Sequence, residues 1–229
     1  MKIKKYRMEQ LEEARKIQKD CLKNHLPCPP VTWWMARILD KNGEIEEQIE
    51  SKCNSYTRNG LNLIAQHSMY ITQPYRRDYN TFEDGVISYR YSNKSDGPGS
   101  GTCIYVEGST QLVIGNGSAP ENLDAIQLSN NITASTTPSS ATFSTVFDAE
   151  TRKLHTAIQR CFKNNTESPI SVTETGVEIK LGEISNGAYP FFTIRDNALV
   201  VRDVLENPIE IPASKTLLFT YNFELLYPE

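Results

Sequence analysis

The final segment of the chain constrains the fold more than any other part of the sequence. Between Leu217 and Leu225 every second residue is large and apolar, in the run LLFTYNFEL. Successive side chains of a β-strand point to opposite faces, so this alternation predicts a strand with one buried face. The sequence from Ser168 onward is rich in Val, Ile, Phe, Tyr and Thr, with Pro, Asn, Gly and Ser between the apolar runs. That composition is typical of an antiparallel sheet.

Similar strands are predicted through most of the chain. The segments 31–39 and 44–51 are expected to form a hairpin, because Asp40 to Gly43 is a strong turn sequence. The segment 152–163 fits a helix or a strand, and we predict a strand that forms a hairpin with 170–181. Further strands are predicted at 85–91, 103–106, 111–114, 191–194, 198–205 and 217–225, with an exposed strand and loop at 128–147 and a break at Asn207-Pro208. These segments predict a mainly β fold, either an antiparallel β-sandwich or a jelly-roll-like body.

Two helices are also predicted. From Lys5 to Asn24 apolar residues recur every three or four positions, which indicates an amphipathic helix with a thin apolar stripe. Such a helix is marginal alone, so it is expected to pack on the main domain, on a neighbouring subunit or on another partner. The second helix is predicted at 54–69. Three prolines in HLPCPP end the first helix, so residues 1–30 are predicted to be a helical arm with a hinge, and residues 31–229 a β-sandwich body with long polar loops.

Charge and composition argue against several classes of protein. The net charge of -4 and the isoelectric point near 5.5 disfavour a direct nucleic-acid partner, which normally requires a basic surface. No apolar run approaches the roughly 18 residues of a membrane helix, and the first residues lack the apolar region of a signal peptide. The five cysteines form no CxxC pair, which favours separate reduced thiols and assembly in a reducing cytoplasm.

The sequence contains no motif of a reactive centre. The three histidines are isolated in sequence, and the HExxH, GxSxG and DxDxDG patterns do not occur. The glycine-rich turn from Gly115 to Pro120 lacks the lysine of a phosphate-binding loop. We therefore expect no enzyme, no catalytic residue, no cofactor and no metal. Two glycosidase carboxylates need not be close in sequence, so a hydrolase stays as a third alternative.

Four residues are singled out for other roles. Glu174 and Arg202 each lie inside an apolar strand-like run, where a charge is costly unless it is paired. We hypothesise that they form a structural ion pair across the sheet; the alternative is that each lies on a solvated face. Trp33 and Trp34 are adjacent on a predicted strand and must point to opposite faces. One of them is thereby a candidate for partner contact, the alternative being that it packs under a loop.

Four stretches of the sequence, in this order, resemble virion proteins of tailed bacteriophages. They are LVIGNGSAPENLDAIQL, ATFSTVF, SPISVTETGVEI and ALVVRDVLENPIEIPASKTLLFTYNFEL, and they span about half of the chain, from Leu112 to Leu225. The resemblance implies a β-sandwich building block of the particle without enzymatic activity. It implies other virion proteins of the capsid, the portal or neck, or the tail as partners, further copies of the chain in a homo-oligomer, and assembly in the host cytoplasm.

Two functions are compared on this basis. The first is a structural component of a phage virion, associated with the capsid as a decoration, vertex or head-to-tail neck protein, whose arm and edge strands complete the sheets of neighbouring subunits. The alternative is a tail or fibre module that binds a host receptor or a carbohydrate. Aromatic side chains that could stack on sugars are those of Trp33, Trp34, Tyr70, Tyr75, Tyr79, Tyr89 and Tyr91.

Overall fold

The structure is a computed structural model, and it describes residues 1–26, 29–52, 57, 60–61, 79–83, 86–90, 102–185 and 191–226. In chain order its elements are β1 (Lys2–Tyr6), α1 (Met8–Lys23), β2 (Val31–Leu39), β3 (Ile45–Lys52), β4 (Tyr79–Glu83), β5 (Val86–Arg90), β6 (Thr102–Gly115), a 3-10 turn (Thr133–Ser135), β7 (Thr137–Pro138), β8 (Thr142–Asp148), β9 (Lys153–Lys163), β10 (Ile170–Ser185), β11 (Phe191–Ile211) and β12 (Thr216–Leu226). The prediction of a mainly β fold with a helix near the N-terminus is confirmed, and the several sheets are consistent with a β-sandwich-like body.

Residue contacts divide the chain into two compact units. The first comprises Met1–Asn54, Ile132–Val172 and Asn207–Glu229, and the second comprises Ser55–Asn131 and Thr173–Glu206. The predicted boundary at residue 30 is not a division in these contacts, because α1 belongs to the same unit as β2 and β3. Part of the predicted hinge, most of the predicted helix at 54–69, and Tyr70, Tyr75 and Tyr91 lie outside the described residues.

The first unit is built on a seven-stranded sheet with β12 near its centre. The strand order is β1-β3-β2-β12-β9-β7, and β8 also pairs with β9. All of these pairings are antiparallel except that of β1 with β3. The strand predicted at 217–225 is confirmed, and Leu217, Phe219 and Tyr221 are each 0% exposed. The prediction of one buried face is wrong, because Thr220, Asn222 and Glu224 on the other face are also buried. The apolar side chains of β12 therefore lie at the centre of this unit, because they pack against side chains of the strands on both sides.

The helix α1 packs on the sheet of its own unit, which is the first of the placements considered for it. Leu11 is buried, and the buried Gln18 donates from Nε2 to the carbonyl oxygen of Glu224 at 3.0 Å and to that of Pro29 at 2.7 Å. The helix begins later than predicted, at Met8, because the preceding residues pair with β3 as a strand. Arg7 separates the two elements with a φ of 53°. Pairing with a distant strand thus overrides the local helical pattern.

The second unit contains two smaller sheets. One has the strand order β11-β10-β6, and the other is the β4–β5 hairpin. In the first, residues near the end of β6 lie opposite the start of β10, with Gly115 facing Glu174 and Val113 facing Gly176. Val113, Leu128 and Leu199 form a buried apolar cluster with Ala125 packed against it. This arrangement brings the loop after β6 next to the polar residues of β10 and β11.

Several strand predictions need correction. Residues 103–106 and 111–114 belong to one strand, β6, and residues 191–194 and 198–205 belong to β11. The predicted break at Asn207-Pro208 is wrong, because β11 continues to Ile211. This strand lies at the edge of its sheet, where a proline without an N–H is tolerated. The segment 152–163 is a strand as predicted, but it does not form a hairpin with β10, since β9 pairs with β12, β7 and β8.

Buried polar contacts redirect the chain between β9 and β10. Asn164 is 0% exposed and donates from Nδ2 to the carbonyl oxygens of Ser168 and Ile211, both at 2.9 Å. Its Oδ1 accepts a hydrogen bond from the N–H of Thr166 at 2.8 Å. The side chain therefore fixes an open loop where a tight hairpin turn was expected. Among the described residues, no helix is both long and apolar enough to span a membrane.

Candidate functional site

Glu174 and Arg202 meet in the second unit as a buried ion pair. Glu174 lies near the start of β10 and is 0% exposed, and Arg202 lies in β11 and is 3% exposed. Oε2 of Glu174 accepts hydrogen bonds from Nη2 of Arg202 at 2.8 Å and from Nε at 3.0 Å. The pairing that the sequence suggested is thus present, and the alternative of two solvated charges does not apply. A pair this deeply buried is stabilising only if its remaining donors and acceptors also find partners.

The carboxylate of Glu174 receives its other hydrogen bonds from the loop that follows β6. Oε1 accepts from the backbone N–H of Asn130 at 2.9 Å and from that of Gly117 at 3.2 Å. Oε2 also accepts from the hydroxyl of Ser129 at 3.1 Å. Both ends of the loop are therefore held by one side chain of β10.

The guanidinium of Arg202 holds the middle of the same loop. Nη1 donates to the carbonyl oxygen of Pro120 at 2.8 Å, and Nη2 donates to that of Ala119 at 2.9 Å and to Oγ of Ser129 at 2.7 Å. Arginine suits this position because its planar group carries five donors in a fixed geometry. Together with Glu174 it forms what we call the Glu174–Arg202 centre, a pair whose hydrogen bonds tie residues 117–130 to β10 and β11.

Two glycines make room for the carboxylate. A Cβ atom added at Gly115 would lie 2.6 Å from Cγ of Glu174, and one added at Gly117 would lie 2.5 Å from Oε1. Real Cβ atoms do not approach other atoms so closely. The glycine-rich turn thus lets the backbone come close to a buried protein carboxylate, which is a different use of glycine from a phosphate cradle.

Burial and hydrogen bonding act in opposite directions on Glu174. Burial alone would raise the pKa of this carboxyl, but the hydrogen bonds from the N–H of Asn130 and from Arg202 outweigh it and the pKa is lowered. The group is therefore ionised at neutral pH and fully engaged. A carboxylate with five donors and no exposed surface is unsuited to act as a general base or a nucleophile. The chemistry of the Glu174–Arg202 centre is that of a structural clamp.

The residues of this clamp come from three of the four stretches that resemble phage virion proteins. Gly115, Gly117 and Pro120 lie in the first, Glu174 in the third and Arg202 in the fourth. The sequence pattern identified the two charges, but it did not identify Ser129 and Asn130 as their partners. Nothing in the local pattern of those two residues distinguishes them from other polar loop residues, because their role depends on β6 and β10 being adjacent.

The two tryptophans point to opposite faces of the sheet, but neither ring is fully exposed. Trp34 is 4% exposed and its ring lies 5.3 Å from that of Phe219, so it belongs to the core of the first unit. Trp33 is half-buried; it stacks on His155 at 5.5 Å, and the guanidinium of Arg15 lies 5.1 Å from its ring centroid. Trp34 is therefore a core residue and is unavailable for contact with a partner. Trp33, which lies in β2, is partly covered by Arg15 of the helix α1.

The helix-facing side of the sheet also contains a charged cluster. Glu224 is buried, with Lys153 at 3.4 Å and Arg15 at 3.7 Å from its carboxylate oxygens. His155 shares a hydrogen bond of 3.1 Å with Oδ1 of Asn222. These groups pair with one another and with α1, so their arrangement attaches the helix to the sheet.

The strand β8 of the first unit is exposed along its whole length, unlike the buried residues described above. Every residue of β8 is exposed, including Phe143 at 50%, Val146 at 60% and Phe147 at 57%. The exposed strand predicted within 128–147 is thus confirmed, whereas Leu128 and Ile132 of the same segment are buried. Exposed apolar side chains grouped on one strand are typical of an interaction site. We call residues 142–148 the β8 edge.

The described residues contain no group of three or more His, Cys, Asp or Glu side chains placed to hold a metal ion. Comparison with protein-family models, with curated proteins and with solved structures gave no match for this chain.

Proposed function

We propose that this chain is a structural component of a tailed-phage virion, associated with the capsid or the head-to-tail neck, and that it acts by assembly with other virion proteins. The observation that carries the proposal is the β8 edge, an apolar strand exposed at the border of a large sheet. Exposed large apolar side chains grouped in one place mark interaction sites, and Phe143, Val146 and Phe147 are each at least half exposed. The β8 edge carries one charged residue, Asp148.

The Glu174–Arg202 centre supports the same proposal from a different direction. The sequence stretches that resemble virion proteins supply its residues, and their contacts are entirely internal to one unit. Glu174 and Arg202 hold a loop in a fixed position on the sheet, as expected of a rigid subunit. Rigid subunits lose little conformational entropy when they associate, which favours ordered assembly.

The receptor- or carbohydrate-binding alternative has weaker support. Sugar stacking requires accessible aromatic faces, whereas Trp34 is buried and Trp33 is covered by Arg15 and His155. The exposed aromatic side chains of the β8 edge are two phenylalanines, which lack the polar atoms that accompany sugar recognition.

Purified particles test the proposal. Phage particles from a lysate that produces this chain are separated into heads and tails, and each fraction is examined by mass spectrometry and by gold-labelled antibody in the electron microscope. We expect the chain in the head or neck fraction at a fixed ratio to the major capsid protein. Its presence in the lysate together with its absence from washed particles would contradict the proposal.

A further inference from the structure

The first unit has a cleft at one end of its seven-stranded sheet. Three of the residues that line it are Leu39 in β2, Thr216 in β12 and Lys163 in β9. They lie directly opposite one another on consecutive strands, and opposite residues share a face of a sheet. This row therefore forms the floor of the cleft.

The walls of the cleft come from the turn between β2 and β3 and from two loops. Asp40, Lys41 and Gly43 belong to the turn, Asn165 follows β9, and Ser214 precedes β12. The volume of the cleft is about 480 Å³, which lies within the ~300–1,000 Å³ of ordinary small-molecule sites. All of these residues belong to the first unit, so the cleft is a property of that unit alone.

Two lysine side chains line this cleft from different elements. Lys163 belongs to the floor and Lys41 to the wall, and both residues are exposed. Neither forms an ion pair or a side-chain hydrogen bond within the described ranges of the chain. Lys215, the residue before Thr216, differs from them because its ammonium group pairs with Glu46. Lys41 and Lys163 therefore contribute positive charge that no ion pair neutralises.

Asp40 is the carboxylate among the described lining residues, and its own turn holds it. Its Oδ1 accepts hydrogen bonds of 2.8 Å from the backbone N–H groups of Asn42 and Glu44. The hydrogen bond from Glu44 is the largest of the effects that lower the pKa of this carboxyl. Asp40 is thus an acceptor already in use. Two lysines against one carboxylate leave the lining with a net positive charge.

Two hydroxyl groups add neutral donors to the lining. Oγ of Ser214 and Oγ1 of Thr216 form no hydrogen bond in the part of the chain that the structure describes. A hydroxyl hydrogen can rotate toward whichever acceptor enters the site. The polar groups that the protein leaves unused are therefore two ammonium groups and two hydroxyls. This set favours a ligand with several negatively charged oxygen atoms and repels a metal cation.

We infer that this cleft, which we call the Lys41–Lys163 cleft, binds the phosphate group of a small molecule. Lysine is a common phosphate ligand, because its ammonium group acts as a compact point charge with three rotatable donors. A phosphate has enough oxygen atoms to accept from both lysines and both hydroxyls, and Leu39 on the floor offers an apolar contact to an organic group attached to it. The inference goes beyond the assembly role proposed above and does not depend on it.

The binding should be weak and should decrease with salt. Both lysines are exposed, and charges that remain in contact with water attract one another only modestly and are screened by dissolved ions. We therefore expect a dissociation constant on the order of 1 mM at low salt. An increase in sodium chloride should raise that constant.

An NMR titration of the purified full chain tests the inference. Sodium phosphate and phenyl phosphate are added separately, at an ionic strength kept constant with sodium chloride. The backbone N–H signals of Lys41, Gly43 and Thr216 should shift until they saturate. Tighter binding of phenyl phosphate identifies an organic phosphate as the ligand and equal binding identifies the free ion, and either result supports the site. No saturable shift at these residues with either compound overturns the inference.

Charge removal tests which residues bind the phosphate. The double variant Lys41→Gln, Lys163→Gln should weaken binding of both compounds by at least about tenfold, because it lacks both ammonium groups. The matched control is Lys16→Gln, Lys19→Gln, which removes the same charge from exposed positions of α1 and should leave both dissociation constants unchanged.

Equal weakening in the two double variants would show that net charge, and not the Lys41–Lys163 cleft, attracts phosphate, and it would overturn the inference. All four substitutions replace exposed side chains, so both variants should keep the spectrum of the folded chain. The titration does not bear on the presence of the chain in particles, so the virion proposal and this inference fail separately.

Discussion

At the scale of single residues, the feature with the largest expected effect on stability is the buried glutamate beside a buried arginine. Two charges removed from water are costly, and only a full set of hydrogen bonds offsets that cost. Here Glu174 and Arg202 obtain those bonds from the loop residues 117–130. The pair therefore stabilises a specific loop position more than it stabilises either strand.

Removing one partner of this pair should be far more damaging than removing an exposed ion pair. We expect Glu174→Ala and Arg202→Ala each to lower the free energy of unfolding by about 3–5 kcal/mol, because each leaves an uncompensated buried charge. The double variant should cost less than the sum of the two. Urea unfolding measures this, with Glu46→Ala and Lys215→Ala as the control pair, which is partly exposed and should contribute less than about 1 kcal/mol. Additive effects of the two buried substitutions would contradict a direct coupling.

The lowered pKa of Glu174 makes stability depend on acidity. Its pKa in the folded protein lies below the unfolded value, which is about 4.3 for glutamate. The stabilisation from its ionised form is fully present above the unfolded pKa and is lost as the pH falls through the folded pKa. Urea midpoints measured from about pH 7 to pH 3 should therefore fall below about pH 4. The Glu174→Gln variant should show a shallower acid loss, and an equal loss in both proteins would contradict this origin.

At the scale of elements, the glycine-rich loop can lie close to β10 because its glycines have no Cβ atom that would contact the side chain of Glu174. Gly117→Ala would place a methyl group against Glu174 and Ser129. We expect a loss of about 1–3 kcal/mol in unfolding free energy, as for other overpacked sites. Gly43→Ala is the control, because a Cβ there meets no atom within 4 Å and the only cost is its φ of +85°. Thermal unfolding compares the two, and equal small losses would show that the loop moves freely away from the carboxylate.

The attachment of α1 to the sheet is a second property at this scale. Leu11 is 1% exposed, whereas Ile17 on the same helix is 49% exposed. We expect Leu11→Ala to cost about 2–5 kcal/mol and Ile17→Ala much less, since only the former leaves a cavity. Hydrogen exchange should show faster exchange within α1 in Leu11→Ala while β12 stays protected. Uniform loss of protection across both elements would indicate that the helix and the sheet unfold as one.

At the scale of the whole molecule, the seven-stranded sheet has two unlike ends. One is basic and the other is apolar, so the forces that act at each end differ in their response to salt. Association through the β8 edge should change little between about 0.05 and 0.5 M sodium chloride, because its contacts are apolar and salt screens only charges. Self-association through β1 would instead strengthen over the same range, because salt screens the repulsion between its lysines. Sedimentation at the two salt concentrations distinguishes the ends, and a strong salt dependence would exclude the β8 edge.

Much of this architecture follows from the sequence alone. The alternation in β12 and the turn between β2 and β3 are local signals that can be read from neighbouring residues. The two charges in apolar strands are costly to bury, and pairing them with each other offsets that cost. They determined that the protein is mainly β, that Leu217, Phe219 and Tyr221 of β12 are buried, and that Glu174 needs a cation.

The tertiary structure decided the rest. β9 and β10 are neighbours in sequence but lie in different sheets, and residues 2–6 form a strand because β3 is there to pair with them. Apart from Arg202, the donors to Glu174 come from a loop more than forty residues away. Strand pairing and the partners of a buried charge depend on contacts between distant segments, and local periodicity carries no information about which segments those are.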